Sequence, residues 1–394
     1  MKFLKDLVNS QEKLFLKGGK FEYLYPLYEA GASFLFSTKE TTDSNVHVRD
    51  SLDTKRYMSI VLIALLPCIF FGIYNSGLQA HKAAGLSLDL LPVLLTGAKY
   101  VVPLILVSYT VGGIFEVLFA LIRRHEINEG FLVTGILYPL TLPATLPLWQ
   151  AAVGIAFGVV IGKEVFGGSG RNFLNPALTA RAFVFFAYPA TISGEVWTKL
   201  LVTKDKLVDG WSGATALGVA AITPMGESAE ESIINAGYNL QDAFLGFIPG
   251  SIGETSVVCV LIGAAILILT KVGSWRTMFG SLIGATLMTL IFNAVAGPNL
   301  IPFLGLGPAW QLSIGSFAFA SVFMATDPVS SPSLEASKFI YGFLIGVLGI
   351  IIRVVNPAYP EGWMLSILLM NVFAPLIDHV VYQLKIKKRI PNAI

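Results

Sequence analysis

The sequence has little charge for its length. Asp, Glu, Lys and Arg make up 13% of the 394 residues, whereas hydrophobic residues make up 54%. Soluble domains carry about 25% charged residues, so the composition excludes an ordinary water-soluble globular fold. The net charge is only +2, which gives no indication of a nucleic-acid partner.

Cysteine is also scarce. Cys68 and Cys259 both lie in apolar runs, which predicts buried packing residues and excludes a disulfide framework. The chain has no cysteine cluster for an iron–sulfur centre. It also has no glycine-rich dinucleotide fingerprint between a strand and a helix. The sequence therefore gives the chain no means of binding NAD or an iron–sulfur cluster itself.

The N-terminal arm, residues 1–56, is polar and mixed in charge, and no apolar signal segment opens the chain. Within the arm, apolar residues alternate with lysines, as in 3–7 and 13–17. This pattern predicts short amphipathic helices on the membrane surface. A solvated arm that docks onto a partner explains the pattern equally well.

About ten apolar segments approach the roughly 20 residues that a bilayer-spanning helix needs. They lie near 57–77, 99–122, 131–146, 149–165, 175–190, 256–271, 277–296, 310–325, 338–354 and 362–385. The segments predict an all-α polytopic membrane protein. Its parts would be the arm (1–56), a first membrane half (57–190), an outer loop (191–254), a second membrane half (255–385) and a tail (386–394).

The basic residues indicate how these segments cross the membrane. Lys and Arg precede the first segment and follow the second, fourth, sixth and tenth, whereas the loop 297–309 carries no charge. Basic residues accumulate on the cytoplasmic side, so both termini are predicted inside and the loop 191–254 outside. Arg353, near the outer end of the ninth segment, is the exception.

Five segments lie on each side of the outer loop (191–254). Because each half crosses the membrane an odd number of times, the two halves would insert with opposite orientations. This predicts two inverted halves with broken helices near the membrane midplane. The third segment, which holds prolines, and the stretch at Pro298 and Pro302 both look interrupted. A similarity between 175–183 and 331–339 would instead pair the fifth with the ninth segment. We attribute it to shared helix-start chemistry, a polar cap followed by proline.

The outer loop contains the sequence Asp209-Gly-Trp-Ser212-Gly213-Ala214-Thr215. Gly213 and Ala214 would let the backbone enter the cleft of a modifying enzyme. The Thr215 hydroxyl is then the natural acceptor for a phosphoryl group carried by a nucleotide. Gly-Ala-Thr alone is an ordinary small-residue turn, and the full pattern is much more specific.

This pattern resembles the signature at which a flavin transferase joins FMN, through its phosphate, to threonine. A second block, 162–183, reads Gly-Lys-Glu-Val-Phe-Gly-Gly-Ser-Gly-Arg-Asn-Phe-Leu-Asn-Pro-Ala-Leu-Thr-Ala-Arg-Ala-Phe. It is similar to the B subunits of the sodium-translocating NADH:quinone oxidoreductase family, as are 112–116 and 325–328. The resemblance covers nearly the whole chain, although the stretch 197–208 looks longer than the family pattern.

The resemblance implies a six-subunit complex of the bacterial inner membrane that passes electrons from NADH to ubiquinone and exports sodium ions. NADH oxidation would belong to partner subunits. For this chain, it implies FMN bound covalently to Thr215 by a phosphoester on the periplasmic side. The transferase would recognise Asp209, Ser212, Gly213 and Ala214.

Two further sites follow from the resemblance. Non-covalent riboflavin would bind at Asn172 and Asn175, whose amides match an isoalloxazine edge; helix capping is the alternative. Ubiquinone would bind at Gly112 and Gly113, although adjacent glycines in a membrane helix are more often packing contacts.

Three carboxylates in or at the ends of apolar segments are candidates for a sodium route from the cytoplasm: Glu116, Asp327 and Asp378. Buried acids are costly unless they face a wet cavity or a partner, and oxygen ligands suit an alkali cation. Each acid also has a structural alternative. Asp327 could cap a helix, Asp378 could pair with His379 or another chain, and Glu116 could bond a neighbouring segment.

Two other functions fit parts of the sequence. The D-type subunit of the related electron-transport complex that links ferredoxin and NAD shares the Ser-Gly-Ala-Thr pattern, but the long N-terminal arm argues against it. A flavin-free solute channel with inverted repeats would explain the apolar segments alone. A covalent flavin, visible as fluorescence of the denatured chain, would separate these functions.

Overall fold

The computed structural model describes residues 2–16, 18–36, 53–124, 127, 129–194, 196–201 and 213–389. Their regular secondary structure is helical throughout, which confirms the predicted all-α class. Six helices are long and apolar enough to cross a membrane, and three further apolar helices are shorter. The chain is therefore a polytopic membrane protein.

The N-terminal arm folds into a helical hairpin of α1 (Lys2–Phe15) and α2 (Tyr25–Leu35). The ring of Phe15 stacks on Tyr28 with 4.9 Å between the centroids, and the Tyr28 hydroxyl donates to the carbonyl of Val8. Helix α1 confirms the helix predicted at the start of the arm, and α2 was not predicted. Their contact with a membrane surface stays a prediction.

The first membrane half contains five helices. They are α3 (Thr54–Ala84), α4 (Leu90–Arg123), α5 (Gly130–Leu140), α6 (Leu148–Val160) and α7 (Pro176–Ala187). Helix α3 begins where the Asp53 carboxylate accepts a hydrogen bond from the backbone N–H of Arg56, and it ends at Gly85, which has a positive φ. Helix α5 ends at Leu140, so the third segment is as short as its prolines indicate.

The outer loop carries three short helices, α8 (Ala216–Ile222), α9 (Ala229–Asn235) and α10 (Leu240–Leu245). The second half follows with α11 (Val257–Leu269), α12 (Trp275–Val295), α13 (Pro308–Ser313), α14 (Phe317–Phe319), a π-helical turn (Ala320–Met324), α15 (Glu335–Val355) and α16 (Trp363–Arg389).

The eighth predicted segment, 310–325, is broken. Helix α13 ends at Ser313, and α14 starts at Phe317. The sequence placed an interruption at Pro298 and Pro302, where the chain is indeed irregular or 3₁₀-helical. The break inside the segment itself lies further along, at residues 314–316, and the prolines did not indicate it.

Small residues allow the membrane helices to approach closely. A side chain at Gly284 of α12 would collide with the backbone of Phe343 in α15, and one at Gly342 would collide with the backbone of Thr277. Helix α4 packs against α6, as α12 packs against α15, and α3 contacts α11 across the two halves. The inverted relation of the two halves stays a prediction.

Candidate functional site

A cavity of about 420 Å³ lies between the two halves. We call it the inner cavity. Its walls come from α3, α5, the loop that follows α6, and the segment around the π-helical turn. Its polar lining residues are Thr54, Tyr57, Thr134, Lys163, Ser169, Asn172, Asn175, Thr326 and Asp327. The inner cavity therefore brings together both predicted riboflavin residues and one of the three predicted sodium residues.

The two asparagines use only part of their hydrogen-bonding capacity within the protein. Asn175 Oδ1 caps α7 by accepting from the backbone N–H groups of Ala177 and Leu178, at 3.0 and 3.2 Å. Asn172 Nδ2 donates to the carbonyl of Leu174 at 2.9 Å. Among the described residues, Asn175 Nδ2 and Asn172 Oδ1 have no hydrogen-bond partner. Capping and ligand binding are thus compatible, because they use different atoms.

Glu116 is ion-paired. Lys163 Nζ donates to its two carboxylate oxygens at 2.6 and 2.7 Å, and both side chains are 3% exposed. Beside this pair, Arg123 Nη1 donates to the Glu164 carboxylate at 3.0 Å. The structural alternative for Glu116, a bond to a neighbouring segment, therefore exists. Its place on a sodium route stays a prediction.

Asp327 and Asp378 hold the two ends of one connecting segment. Asp327 accepts from the backbone N–H of Val329 at 3.2 Å and from Ser330 Oγ at 2.7 Å, so it caps a turn and not a helix. Asp378 accepts from the backbone N–H groups of Ser333 and Leu334, at 2.7 and 3.2 Å. These bonds tie Asp378 to the segment that follows Asp327, and its contact with another chain stays a prediction. The three acids bind different groups, and of the three only Asp327 is among the described residues that line the inner cavity.

Gly112 and Gly113 differ in their surroundings. A Cβ atom at Gly112 would lie 2.5 Å from the ring of Phe131 and 3.0 Å from Ile155, whereas at Gly113 the nearest atom is 3.7 Å away. Gly112 is therefore a packing contact of α4. Neither glycine lines the inner cavity, and the quinone assignment stays a prediction.

On the outer loop, Asp209 and Ser212 lie outside the described residues. Thr215 is half-buried, and its Oγ1 caps α8 by accepting from the backbone N–H of Gly218 at 3.1 Å. The Tyr238 hydroxyl donates to the carbonyl of Ala214 at 2.5 Å. Burial raises the pKa of Tyr238 to about 12, so this phenol remains a donor near neutral pH. The motif therefore ends in a fixed backbone conformation.

Sequence reasoning did not identify the contacts of three buried charged residues, Arg181, Glu254 and Arg353. Arg181 Nη2 lies 3.8 Å from Glu254 Oε2, and both side chains are buried. Arg353 is buried as well, and it donates to the backbone of the broken eighth segment. The available signal was a charge in or beside an apolar segment. For Arg353, the only signal was that it lies near the outer end of the ninth segment, where the rule for basic residues predicts none.

The architecture defines a polytopic α-helical membrane protein with a cavity between its two halves, and with Thr215 at the start of a helix on the outer loop. Residues 41–387 match the NQR2, RnfD, RnfE family. The chain belongs to this family.

Curated relatives cover almost the whole chain. A protein of Chromohalobacter salexigens is 48% identical over 98% of this chain and 96% of its own length. A protein of Pseudomonas aeruginosa is 48% identical, with 98% of both chains covered. One of Stutzerimonas stutzeri is 46% identical over 99% of this chain and 100% of its own length. All three are named as the B subunit of a Na(+)-translocating NADH-quinone reductase, which confirms the resemblance carried by the sequence motifs.

Proposed function

We propose that this chain is the B subunit of a sodium-translocating NADH:quinone reductase in a bacterial inner membrane. The observation that carries the proposal is the shared name of relatives that match 98% or more of the chain at 46–48% identity. The chain supplies the flavin sites and part of the route by which sodium crosses the membrane. NADH oxidation and iron–sulfur chemistry fall to partner subunits, in keeping with the lack of ligands for them in the sequence.

The proposal includes FMN bound to Thr215 through a phosphoester. Two features support it: the Asp-x-x-Ser-Gly-Ala-Thr motif, and the position of the half-buried Thr215 where the outer loop becomes helical. The hydroxyl is held at a defined point by its bond to Gly218. When bound, FMN supplies a one-electron or two-electron carrier at this point. The chain contributes the acceptor oxygen and the fixed backbone of Gly213 and Ala214.

The test is the fluorescence of the denatured subunit under ultraviolet light. Thr215→Ala is expected to abolish the fluorescent band, because the acceptor oxygen is gone, while the subunit stays in the membrane. Thr223→Ala is the matched control: Thr223 lies at the other end of α8, and its hydroxyl bonds only the carbonyl of Val219. A fluorescent band in Thr215→Ala would refute the attachment site.

The inner cavity is the proposed riboflavin site. Its walls are largely apolar, and it offers unused amide atoms at Asn172 and Asn175. This is the composition expected of a site for a flat heteroaromatic ligand. Replacing both asparagines by leucine is expected to remove riboflavin from the purified complex without removing the covalent FMN. The extracted flavin, separated by chromatography, gives the measurement, and an unchanged riboflavin content would contradict the site.

The proposal also retains a sodium route that includes Glu116, Asp327 and Asp378, and a ubiquinone site beside Gly112 and Gly113. Glu116 and Asp327 support the route because one contacts a cavity-lining lysine and the other lines the cavity itself. Asp378 supports it less directly, by holding the segment that follows Asp327.

The ferredoxin-linked complex remains the second candidate, because the family description includes RnfD. The family match begins at residue 41 and omits most of the N-terminal arm, whereas the named relatives cover 98% of the chain. The arm therefore favours the NADH:quinone reductase. Reduction of ubiquinone by NADH in the purified complex, with no need for ferredoxin, would separate the two.

A further inference from the structure

Lys163 belongs both to the wall of the inner cavity and to a buried ion pair. It lines the cavity, and its ammonium binds both oxygens of Glu116. Among the described residues, Glu116 is not part of that lining. The lysine therefore stands between the carboxylate and the cavity.

Glu116 depends on Lys163 for its counter-charge. The second carboxylate near Lys163, that of Glu164, is 3.9 Å away and already accepts from Arg123. Arg123 also donates to the backbone carbonyl of Glu164 at 2.6 Å, which fixes it there. A buried carboxylate without a counter-ion is unstable. If the ammonium left Glu116, a proton or another single positive charge would have to neutralise the carboxylate, and its oxygen ligands suit an alkali cation.

The inner cavity provides space beside the Lys163 side chain. Lys163 lies in the turn after α6, and Gly167, Gly168 and Gly170 follow it with φ values of 114°, 91° and 83°. An ammonium on a flexible four-carbon stem can change partners without a helix movement. Its alternative position is the inner cavity.

We propose that Lys163 is an exchangeable counter-ion. It neutralises Glu116 while the occupant of the inner cavity is uncharged. It turns into the cavity when that occupant carries negative charge, which leaves Glu116 to bind a sodium ion. The inference rests on the proposed function, in which the occupant is riboflavin and Glu116 lies on the sodium route.

The charges balance in this exchange. One electron, originating from NADH and delivered by the complex, adds one negative charge to the occupant if no proton accompanies it. One sodium ion at Glu116 adds one positive charge. The buried region thus keeps its net charge, which is the condition that favours sodium uptake on arrival of an electron in a region of low dielectric constant.

The experiment measures turnover of the complete purified complex against sodium concentration. Lys163→Gln is expected to lower the half-saturating sodium concentration severalfold, because the competing cation is gone. Lys163→Arg is expected to raise it, because a guanidinium holds a carboxylate with two parallel bonds. Lys338→Gln, which removes one lysine charge from a partly exposed pair with Glu335, is the matched control and should match wild type.

Infrared difference spectra between oxidised and reduced complex give a readout that does not depend on turnover. The carboxylate band that disappears in Glu116→Gln should shift on reduction in the wild type, and the shift should differ between sodium and sodium-free buffer. In Lys163→Gln this band should no longer respond to reduction. Riboflavin content is measured in each variant, so that loss of the flavin is not mistaken for loss of the exchange.

The outcomes separate this inference from the function on which it rests. Weaker sodium activation in Glu116→Gln, with wild-type sodium dependence in both Lys163 variants, would overturn the exchange and leave the sodium route intact. Wild-type dependence in Glu116→Gln would overturn both. If Lys163→Gln fails to assemble, Lys163→Arg decides alone, and a half-saturating concentration equal to wild type overturns the proposal.

Discussion

At the residue scale, two residues of the same type that lie close together in the chain make different contacts. Asn172 and Asn175 look equivalent in the sequence. However, Asn175 caps α7 through Oδ1, whereas Asn172 donates from Nδ2 to the carbonyl of Leu174 in its own loop. Gly112 and Gly113 look equivalent too, and only Gly112 is closely packed against Phe131. Sequence patterns indicate which residues are candidates. The atoms left free for a ligand depend on tertiary contacts.

The two glycines provide a direct prediction. Gly112→Ala is expected to lower the thermal unfolding midpoint of the complex, because its methyl group would overlap the Phe131 ring; overpacking of this kind costs roughly 1–3 kcal/mol. Gly113→Ala has space for the methyl group and should keep the wild-type midpoint. Because the proposed ubiquinone site lies beside both glycines, Gly113→Ala is expected to raise the KM for quinone with no change in the midpoint. A raised KM in Gly112→Ala, with an unchanged midpoint, would contradict the packing role.

At the scale of elements, the break in the eighth segment is stabilised by two charged side chains, the buried Arg353 and the half-buried Glu361. Arg353 donates to the carbonyls of Gln311 and Ile314, at 2.6 and 3.2 Å, and so satisfies the end of α13. The Glu361 carboxylate accepts from the backbone N–H of Ser316 at 2.8 Å. Free backbone groups are costly inside a membrane, and these contacts satisfy them. Because Arg353 is buried, it does not follow the rule for basic residues in loops.

Arg353→Met is expected to reduce the amount of assembled complex. The substitution leaves the backbone carbonyls of Gln311, Ile314 and Glu361 without their donor. A buried acceptor left without its hydrogen bond costs about 1–3 kcal/mol. Arg276→Met is the matched control, because its pair with Glu335 is exposed and worth about 0–1 kcal/mol. Assembly is measured by size-exclusion chromatography of solubilised membranes. Equal yields from the two variants would contradict the role of Arg353.

At the scale of the whole molecule, composition and apolar segment length predicted the all-α membrane class and nearly all the helix positions. Hydrophobicity sets these features locally, within each segment. The break at 314–316 was missed, because it depends on Arg353 and Glu361, distant in the chain. The inner cavity was also beyond prediction, since its lining comes from several elements of both halves. The sequence indicated Lys163 only as one of the basic residues that follow the fourth segment, and not as the partner of Glu116.

The orientation of the two halves leads to the last prediction. Five apolar segments separate the N-terminal arm from the outer loop, so the outer loop (191–254) should face the periplasm and both termini the cytoplasm. Two exposed positions report the two sides: Glu227 in the loop and Lys387 near the end of α16. Each is replaced singly by cysteine in a background that carries Cys68→Ala and Cys259→Ala.

A membrane-impermeant maleimide is then added to spheroplasts before and after the inner membrane is permeabilised. Glu227→Cys should be labelled at once. Lys387→Cys should be labelled only after permeabilisation, because the five segments of the second half return the chain to the cytoplasmic side. Equal labelling of both variants in sealed spheroplasts would mean an even number of crossings between them. In that case the halves could not be inverted, and Thr215 and the C-terminal tail would share one side of the membrane.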